Sequence, residues 1–273
     1  MKQGSRIQCC GTFFLRAFLM YSATLPCSVH ASDLEREQRL SDQIVDAILD
    51  GEPLHLNANG HDFLAIDTLA QTATVKGAVI ILHGRGTHPD WQQVTGPLRT
   101  GLPADGWRTL SLQMPVLAKD AKYYDYIPVF PEAMPRIDAA IRYLREQGQK
   151  RIVLIAHSCS VHMSMDWIEQ RGTADLDAYI TIGMGATDFR QPMKRPLPFE
   201  KIQVPLLNIY GSEDYPAVQR LAGELEQRLA GMPPPSSQVR VAGANHYFDN
   251  SAGELIAIIS AWLDTLPPRD NNF

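Results

Sequence analysis

The chain has 273 residues, of which 45% are hydrophobic and 20% are charged, and its formal net charge is -5 at pH 7. This composition is typical of an ordinary globular protein with enough apolar residues for one sizeable core. The sequence contains no basic run and no basic stripe interleaved with aromatic residues, which is the electrostatic pattern of nucleic-acid-binding proteins. Nucleic acid is therefore not an expected partner.

The N-terminal segment has the pattern of a secretory signal peptide. Lys2, Arg6 and Arg16 are positively charged, and the apolar stretch AFLMYSATL follows them. The sequence PCSVHA then supplies small residues of the kind that signal peptidase recognises, and it ends at Ala31. We expect cleavage after Ala31 and a mature protein in the periplasm or outside the cell.

Two alternatives for the N-terminal segment fit the sequence less well. A membrane anchor would need about 20 uninterrupted apolar residues, whereas Arg16 and Pro26 interrupt this stretch. A lipoprotein site at Cys27 would usually follow Gly or Ala rather than proline. We therefore expect a signal peptide, 1–31, and a single domain, 32–273, with no stable membrane insertion. Removing the signal peptide takes away three cationic residues and no acidic ones, which leaves a formal charge of -8.

The positions of cysteine and histidine argue against disulfides and metal sites. Three of the four cysteines fall in the signal segment and only Cys159 remains, so the mature chain can form no intrachain disulfide. The pairs His83/His88 and His157/His162 are each five residues apart, rather than the three or four that share a helical face. We expect no metal and no other cofactor.

Short apolar segments alternate with amphipathic segments from residue 32 onward. An acidic helix is predicted over DLEREQRLSDQIVDAILDG, with Leu40, Ile44 and Ile48 on one face and Gly51 at its end. The other predicted helices are PEAMPRIDAAIRYLREQG, a segment from about residue 160 to 171, PAVQRLAGELEQRLAG and GELIAIISAWLDTL. The predicted strands are FLAIDTL, GAVIILHG, WRTLSLQMP, RIVLIA, AYITIGM, VPLLNIYG and SQVRVAG. This order predicts an α/β domain with a mostly parallel central sheet and helices on both faces.

Four loops at the carboxyl ends of predicted strands carry the candidate functional residues, as is typical of such sheets. They are HGRG with Arg85, HSCS with Ser158, GSEDY with Asp214, and GANHYF with His246. A serine hydroxyl becomes a good nucleophile when an imidazole accepts its proton and a carboxylate holds the imidazole in one tautomer. These loops supply all three groups. Glu213 is an alternative to Asp214, and either acid could instead cap the helix that follows.

Read together, the loops resemble the α/β-hydrolase superfamily, in which the chain order is Ser, then Asp or Glu, then His. The resemblance implies the α/β-hydrolase fold, with Ser158, Asp214 and His246 as the catalytic residues. It also implies an oxyanion hole formed by the backbone N–H groups of Arg85 and Cys159. The segments ILHGRGTHPDW, TLSLQMPVLA and FPEAMPRIDAAI resemble a group of uncharacterised exported bacterial α/β-hydrolase-like proteins, known as a domain of unknown function, which implies no substrate.

The nucleophile segment differs from G-x-S-x-G at both glycine positions, which are occupied by Ala156 and Ser160. These positions need small side chains, because strand and helix pass close together around a strained nucleophile. Alanine and serine meet that need. Centring the motif on Ser160 would place His162 where a small residue is needed, so Ser158 is the better candidate. The alternative is that Ser158 is only the residue at which a strand ends.

The motifs leave the substrate open. Only about twenty residues separate AYITIGM from VPLLNIY, too few for a large lid domain. Tyr123, Tyr124 and Tyr126 could wall one side of the site or could simply pack a long loop against the sheet, and Arg85 could attract an anion or pair with Asp90. The sequence predicts an exported, esterase-like serine hydrolase for a small acyl or ester substrate. The alternative is a non-catalytic binding or envelope-associated protein of the same fold.

Overall fold

The computed structural model describes Met1 and residues 32–267, so the predicted signal peptide, apart from Met1, lies outside the described residues. The described part of the chain forms helices α1 (Leu34–Ala47), α2 (Thr95–Gly101), α3 (Tyr123–Tyr126), α4 (Phe130–Glu146), α5 (Cys159–Arg171), α6 (Pro216–Leu229) and α7 (Ala252–Leu263). The strands are β1 (Glu52–Ala58), β2 (His61–Thr68), β3 (Gly77–Leu82), β4 (Trp107–Leu112), β5 (Ile152–His157), β6 (Ala178–Ile182), β7 (Leu206–Glu213) and β8 (Ser237–Asn245).

The strands form one sheet with the order β1-β2-β4-β3-β5-β6-β7-β8. The first two strands are antiparallel to each other, β2 is antiparallel to β4, and the strands from β4 through β8 in this order are parallel. The prediction of a mostly parallel sheet is therefore confirmed. The chain leaves β3 towards β4 on one side and later returns to β5 on the other. Ligands of open α/β sheets bind at such a switch point, outside the carboxyl ends of the strands.

Helices cover both faces of the sheet. Ile137 of α4 and Met165 of α5 belong to the apolar core on one face, and Leu98 of α2 and Leu255 of α7 belong to the core on the other. Strands β3 and β5 are buried along their whole length. Two-sided burial explains why these strands read as continuous apolar runs in the sequence. The loops that follow them are held by the most deeply buried part of the fold.

Strand β1 and helices α2 and α3 were not predicted from the sequence. Most of β1 is exposed or half-buried, so its residues form no continuous apolar run. It pairs with β2 through a turn at Asn59 and Gly60, whose φ angles are +54° and +94°. Asn-Gly is a strong signal for a two-residue hairpin and could have identified this strand. Both missed helices are short, with seven and four residues, and too brief to show a helical period.

Helix α1 packs differently from the expected apolar face. It ends at Ala47 rather than near Gly51. Its buried residues are Glu37, Ser41 and Ile44, whereas Leu40 and Ile48 are half-buried. Glu37 accepts hydrogen bonds of 2.8 and 3.0 Å from the buried guanidinium of Arg136 on α4. The buried face of α1 is therefore set by the Glu37–Arg136 ion pair as well as by its apolar residues.

The connection between β6 and β7 is short, as expected. It contains one 3-10 turn, Phe199–Lys201, and no inserted domain, so the sheet edge that carries the candidate residues has no large lid. None of the helices within residues 32–267 is long and apolar enough to cross a bilayer.

Candidate active site

Ser158 lies on the tight turn between β5 and α5. Its φ is +56° and its ψ is -117°. Non-glycine residues rarely adopt this strained conformation, and those that do cluster at functional sites. Its backbone N–H donates a 2.8 Å hydrogen bond to the carbonyl of Ile182 at the end of β6. This strained strand-to-helix turn is the backbone geometry of a nucleophile elbow.

The two non-glycine positions of the elbow accommodate their side chains without opening the turn. Ala156 is fully buried in the sheet, and Ser160 is 1% exposed. The Ser160 hydroxyl donates a hydrogen bond to the carbonyl of His83, at the end of β3. Gly84 follows, and a Cβ there would stand 3.2 Å from Cβ of Ser158. The HGRG loop therefore lies directly against the elbow and is tied to it through Ser160.

The structure brings Ser158, His246 and Asp214 into one hydrogen-bonded line. Nε2 of His246 lies 2.7 Å from Oγ of Ser158, and Nδ1 of His246 lies 2.6 Å from Oδ1 of Asp214. With the Nδ1 proton donated to the carboxylate, Nε2 is free to accept the serine proton. Glu213 is exposed and lies opposite Asn245 in the pairing of β7 with β8. The acid that faces the imidazole is therefore Asp214.

Three residues that were not predicted to belong to the site hold the imidazole in this position. Gly183, after β6, has a φ of +66°, and a Cβ there would lie 2.7 Å from Cε1 of His246. Tyr215 stacks on the imidazole with ring centroids 4.2 Å apart, and its N–H donates to Asp214 at 2.6 Å. Nε2 of His157 donates a 3.1 Å hydrogen bond to the carbonyl of His246. The glycines of IGMG, at the end of the predicted strand AYITIGM, were the one signal in the sequence for this close approach.

Two further histidines near the elbow are structural. Burial lowers the pKa of both His83 and His157 to about 3, so both rings are neutral at pH 7. In His83, Nδ1 donates to the carbonyl of Gly84 at 2.8 Å and Nε2 accepts from the N–H of Met114 at 2.9 Å. This ring connects the HGRG loop to the end of β4. In the part of the chain described here, no cluster of three His, Cys, Asp or Glu side chains could hold a metal ion.

The candidate oxyanion donors, the backbone N–H groups of Cys159 and Arg85, belong to two segments next to Ser158. Cys159 is the first residue of α5, where helical N–H groups have no partner within the helix. Burial raises the pKa of its thiol to about 12, so the sulfur is a neutral thiol and not a competing nucleophile. Arg85 belongs to the loop that Gly84 holds against the elbow.

The side chain of Arg85 has a different partner from the one considered in the sequence analysis. It forms a two-pronged ion pair with Asp188 at 2.5 and 3.1 Å and donates to the carbonyl of Ala121 at 3.0 Å. Asp90 instead pairs with Arg99 at 2.5 Å. Asp188 also accepts a 2.7 Å hydrogen bond from the N–H of Tyr123. The guanidinium of Arg85 therefore connects three loops around the site.

The three candidate tyrosines occupy different environments. Tyr123 lines the narrow cleft beside Ser158. Tyr126 is buried, and its hydroxyl accepts a 3.1 Å hydrogen bond from the N–H of Leu117. Tyr124 donates to the carbonyl of Pro192 at 3.2 Å, away from the cleft. The cleft has a volume of about 20 Å³ and is lined by Arg85, Tyr123, Ser158, Cys159, Ala186, Thr187, Asp188 and Tyr215.

Solved structures of bacterial serine hydrolases share this architecture. A lidless α/β serine hydrolase from Xanthomonas campestris aligns with a TM-score of 0.60 and 15% identity, covering 82% of this chain and 99% of that one. The chain has the α/β-hydrolase fold. An α/β serine hydrolase homologue from Coxiella burnetii aligns with a TM-score of 0.56 and 15% identity, over 79% and 98% of the two chains. The esterase domain of a Rhodothermus marinus protein aligns with a TM-score of 0.55 and 17% identity, covering 78% of this chain and 98% of that one.

The family match in sequence covers less of the chain than the structural matches do. Residues 25–125 match a family described as a protein of unknown function (DUF3530). This match fits the expected likeness to an uncharacterised family and includes the HGRG loop of the α/β-hydrolase fold, but it ends before Ser158. No curated protein matches the chain. The three hydrogen-bonded residues must therefore be interpreted from their own geometry.

Proposed function

We propose that this protein is an exported serine hydrolase with esterase-like activity, in which Ser158, His246 and Asp214 form a catalytic triad. The observation that carries the proposal is the pair of contacts made by the imidazole, 2.7 Å to Oγ of Ser158 and 2.6 Å to Oδ1 of Asp214. The strained backbone at Ser158 and the serine hydrolases among the structural neighbours support the same interpretation.

In the proposed acylation step, Nε2 of His246 removes the proton of Ser158 as Oγ attacks the acyl carbon of the substrate. The carbonyl double bond becomes a C–O single bond, and its oxygen takes the negative charge. The N–H groups of Cys159 and Arg85 would stabilise that oxyanion. When the tetrahedral intermediate collapses, the bond to the leaving group breaks and His246 gives its proton to the departing oxygen. Asp214 stabilises the imidazolium throughout.

Deacylation repeats these steps with water. His246 takes a proton from water, the hydroxide attacks the acyl carbon of the Ser158 ester, and the second tetrahedral intermediate releases a carboxylic acid. The proton returns to Oγ of Ser158. The mechanism needs no redox partner, because acyl transfer from alcohol to water leaves every oxidation state unchanged.

Kinetics of designed variants test the triad with p-nitrophenyl acetate as the substrate. Ser158→Ala and His246→Ala should each lower kcat by several orders of magnitude, and the double variant should be little slower than either, because the residues act as a unit. Ser260→Ala removes a hydroxyl on α7, where it donates to Asp105 at 2.6 Å, and serves as the matched control with nearly full activity. Substantial turnover in Ser158→Ala, or multiplying losses in the double variant, would contradict the proposed mechanism and favour the non-catalytic alternative.

Export is the second part of the proposal and is supported by the N-terminal sequence pattern. The mature protein should begin at Ser32, in the periplasm or outside the cell. N-terminal sequencing of protein recovered from the secreted or periplasmic fraction measures this directly. A mature chain that retains Arg16, or that carries a lipid on Cys27, would contradict cleavage after Ala31.

A further inference from the structure

A second and larger cavity lies next to the cleft that contains Ser158. Its volume is about 350 Å³, compared with about 20 Å³ for the cleft. An apolar cavity of about 150 Å³ is large enough to bind benzene, so this one can hold a larger group. Its apolar lining consists mainly of Tyr123, Phe130, Met165, Pro196, Leu197 and Pro198.

The cavity and the cleft have Tyr123 in common, and His162 lines the cavity next to it. Tyr123 lines both spaces, and its ring lies 4.8 Å from the ring of His162. Nε2 of His162 donates a 3.0 Å hydrogen bond to the carbonyl of Ala186, which itself lines the cleft. Tyr123 is therefore the side chain that stands between the cleft and the cavity.

Helix α5 sets the distance between the two spaces. Ser158 is its N-cap, and the cavity is lined by His162, Met165, Asp166 and Glu169 of the same helix. These four positions have the three- and four-residue spacing of a single helical face. Because one turn of an α-helix rises about 5.4 Å, the cavity begins roughly one turn beyond Ser158.

We propose that this cavity binds the acyl chain of the substrate and makes the enzyme selective for uncharged, medium-length acyl groups. The inference rests on the proposed hydrolase function and specifies its substrate class. An acyl group shorter than one helical turn would stay within the cleft. A longer, octanoyl-sized chain reaches the cavity and buries methylene groups against its apolar lining.

The positions of the catalytic groups assign the cavity to the acyl side of the ester rather than the alcohol side. The leaving oxygen must receive its proton from His246, so the alcohol group has to lie next to the imidazole. Tyr215, which stacks on that imidazole, lines the cleft but not the cavity, and none of the described residues lining the cavity makes a hydrogen bond or ring contact with His246. The acyl group, which stays attached to Ser158, is then directed along α5.

The charges around the cavity disfavour a negatively charged chain end. Asp166, Glu169, Arg195 and Glu200 are its charged lining residues, and the guanidinium of Arg195 is paired with Asp166. Glu169 and Glu200 are exposed and form no ion pair within residues 32–267. A terminal carboxylate on the acyl chain would therefore be repelled by unpaired acids and would also lose its hydration on entry.

A chain-length series of p-nitrophenyl esters tests the inference. The octanoate should have a kcat/KM at least tenfold above that of the acetate, with a gain of up to about fourfold for each methylene that enters the cavity. The ω-carboxyoctanoate ester should lose most of this gain. Lengthening the alcohol of a simple acetate ester, from methyl to octyl, should produce no comparable increase.

Leu197→Trp fills the cavity and should lower the octanoate-to-acetate ratio of kcat/KM at least tenfold. This ratio cancels differences in the amount of folded enzyme. Leu69→Trp makes the same chemical change at a side chain that is 66% exposed, and it should keep the wild-type ratio. If wild-type enzyme hydrolyses the acetate but prefers it to the octanoate, or if Leu197→Trp leaves the ratio unchanged, the cavity does not bind the acyl chain. The proposed hydrolase function would not be affected by that result. Absence of Ser158-dependent turnover of any ester would overturn both.

Discussion

Replacing Gly183 by alanine should disable the site by displacing the His246 imidazole while leaving the fold intact. The added Cβ would stand 2.7 Å from Cε1 and 3.0 Å from Nδ1 of His246. To regain an ordinary contact of 3.4 Å, the ring must withdraw by about 0.7 Å from Cβ. A misplacement of about 1 Å in a catalytic group can cost about a hundredfold in rate. We therefore expect kcat to fall by roughly tenfold to a hundredfold, or about 1.4 to 2.8 kcal/mol.

Backbone strain must be separated from this displacement, because Gly183 has a φ of +66° and alanine tolerates such angles poorly. Strain alone should lower the unfolding free energy by about 1–2 kcal/mol. Gly148→Ala supplies the control, since Gly148 has a φ of +77° and open space at its Cβ position. The assay is kcat for p-nitrophenyl acetate together with urea unfolding of both variants. Full kcat in Gly183→Ala, or an equal loss in Gly148→Ala, would refute the claim that the position of His246 governs the rate.

Three further predictions follow from the same contacts. Asp214→Asn should lower kcat by orders of magnitude, though less than Ser158→Ala, whereas Glu213→Gln should change it less than about twofold; equal losses would mean that the acid is misassigned. Asp188→Ala should reduce kcat about tenfold by releasing the loop that bears Arg85, and Asp264→Ala, which breaks the exposed pair with Lys76, should not. Burial lowers the pKa of His83 and His157 to about 3 and that of His162 to about 4, so these rings stay neutral in the folded protein. In the unfolded chain, the same rings gain protons below about pH 6.5. The unfolding free energy should therefore fall as pH drops from 7 to 5, by on the order of 2 kcal/mol for each ring, and urea titrations that show no loss would contradict their neutral burial.

Local sequence patterns predicted the parts of this protein that depend on local physics. The central strands are buried on both faces, so their continuous apolar runs were readable, and Ser158 and Asp214 followed such runs. His246 followed the edge strand β8, which is mostly exposed or half-buried. Strand β1 was missed because an edge strand with one exposed face lacks that signal. The turn at Asn59 and Gly60 shows that turn chemistry could have recovered it.

The ion pairs that position the loops of the site and helix α1 could not be predicted, because they join distant segments of the chain. Asp188 meets Arg85 across 103 residues of sequence, and Glu37 meets Arg136 across 99. Neither pairing has a period or spacing that one sequence can reveal. The ambiguity between Glu213 and Asp214 was of the same kind, because a one-residue difference at the end of β7 decides which carboxylate faces His246.

Covalent labelling with a fluorophosphonate tests the central claim most directly. The reagent reacts with a serine hydroxyl only when a neighbouring base activates it, so it reports on the 2.7 Å contact between Oγ of Ser158 and Nε2 of His246 in solution. We expect one adduct per chain by intact mass, located at Ser158 by peptide mapping and lost in Ser158→Ala and His246→Ala but retained in Ser260→Ala. Folded wild-type protein that stays unlabelled, or a label on any other residue, would contradict the assignment of Ser158 as the nucleophile.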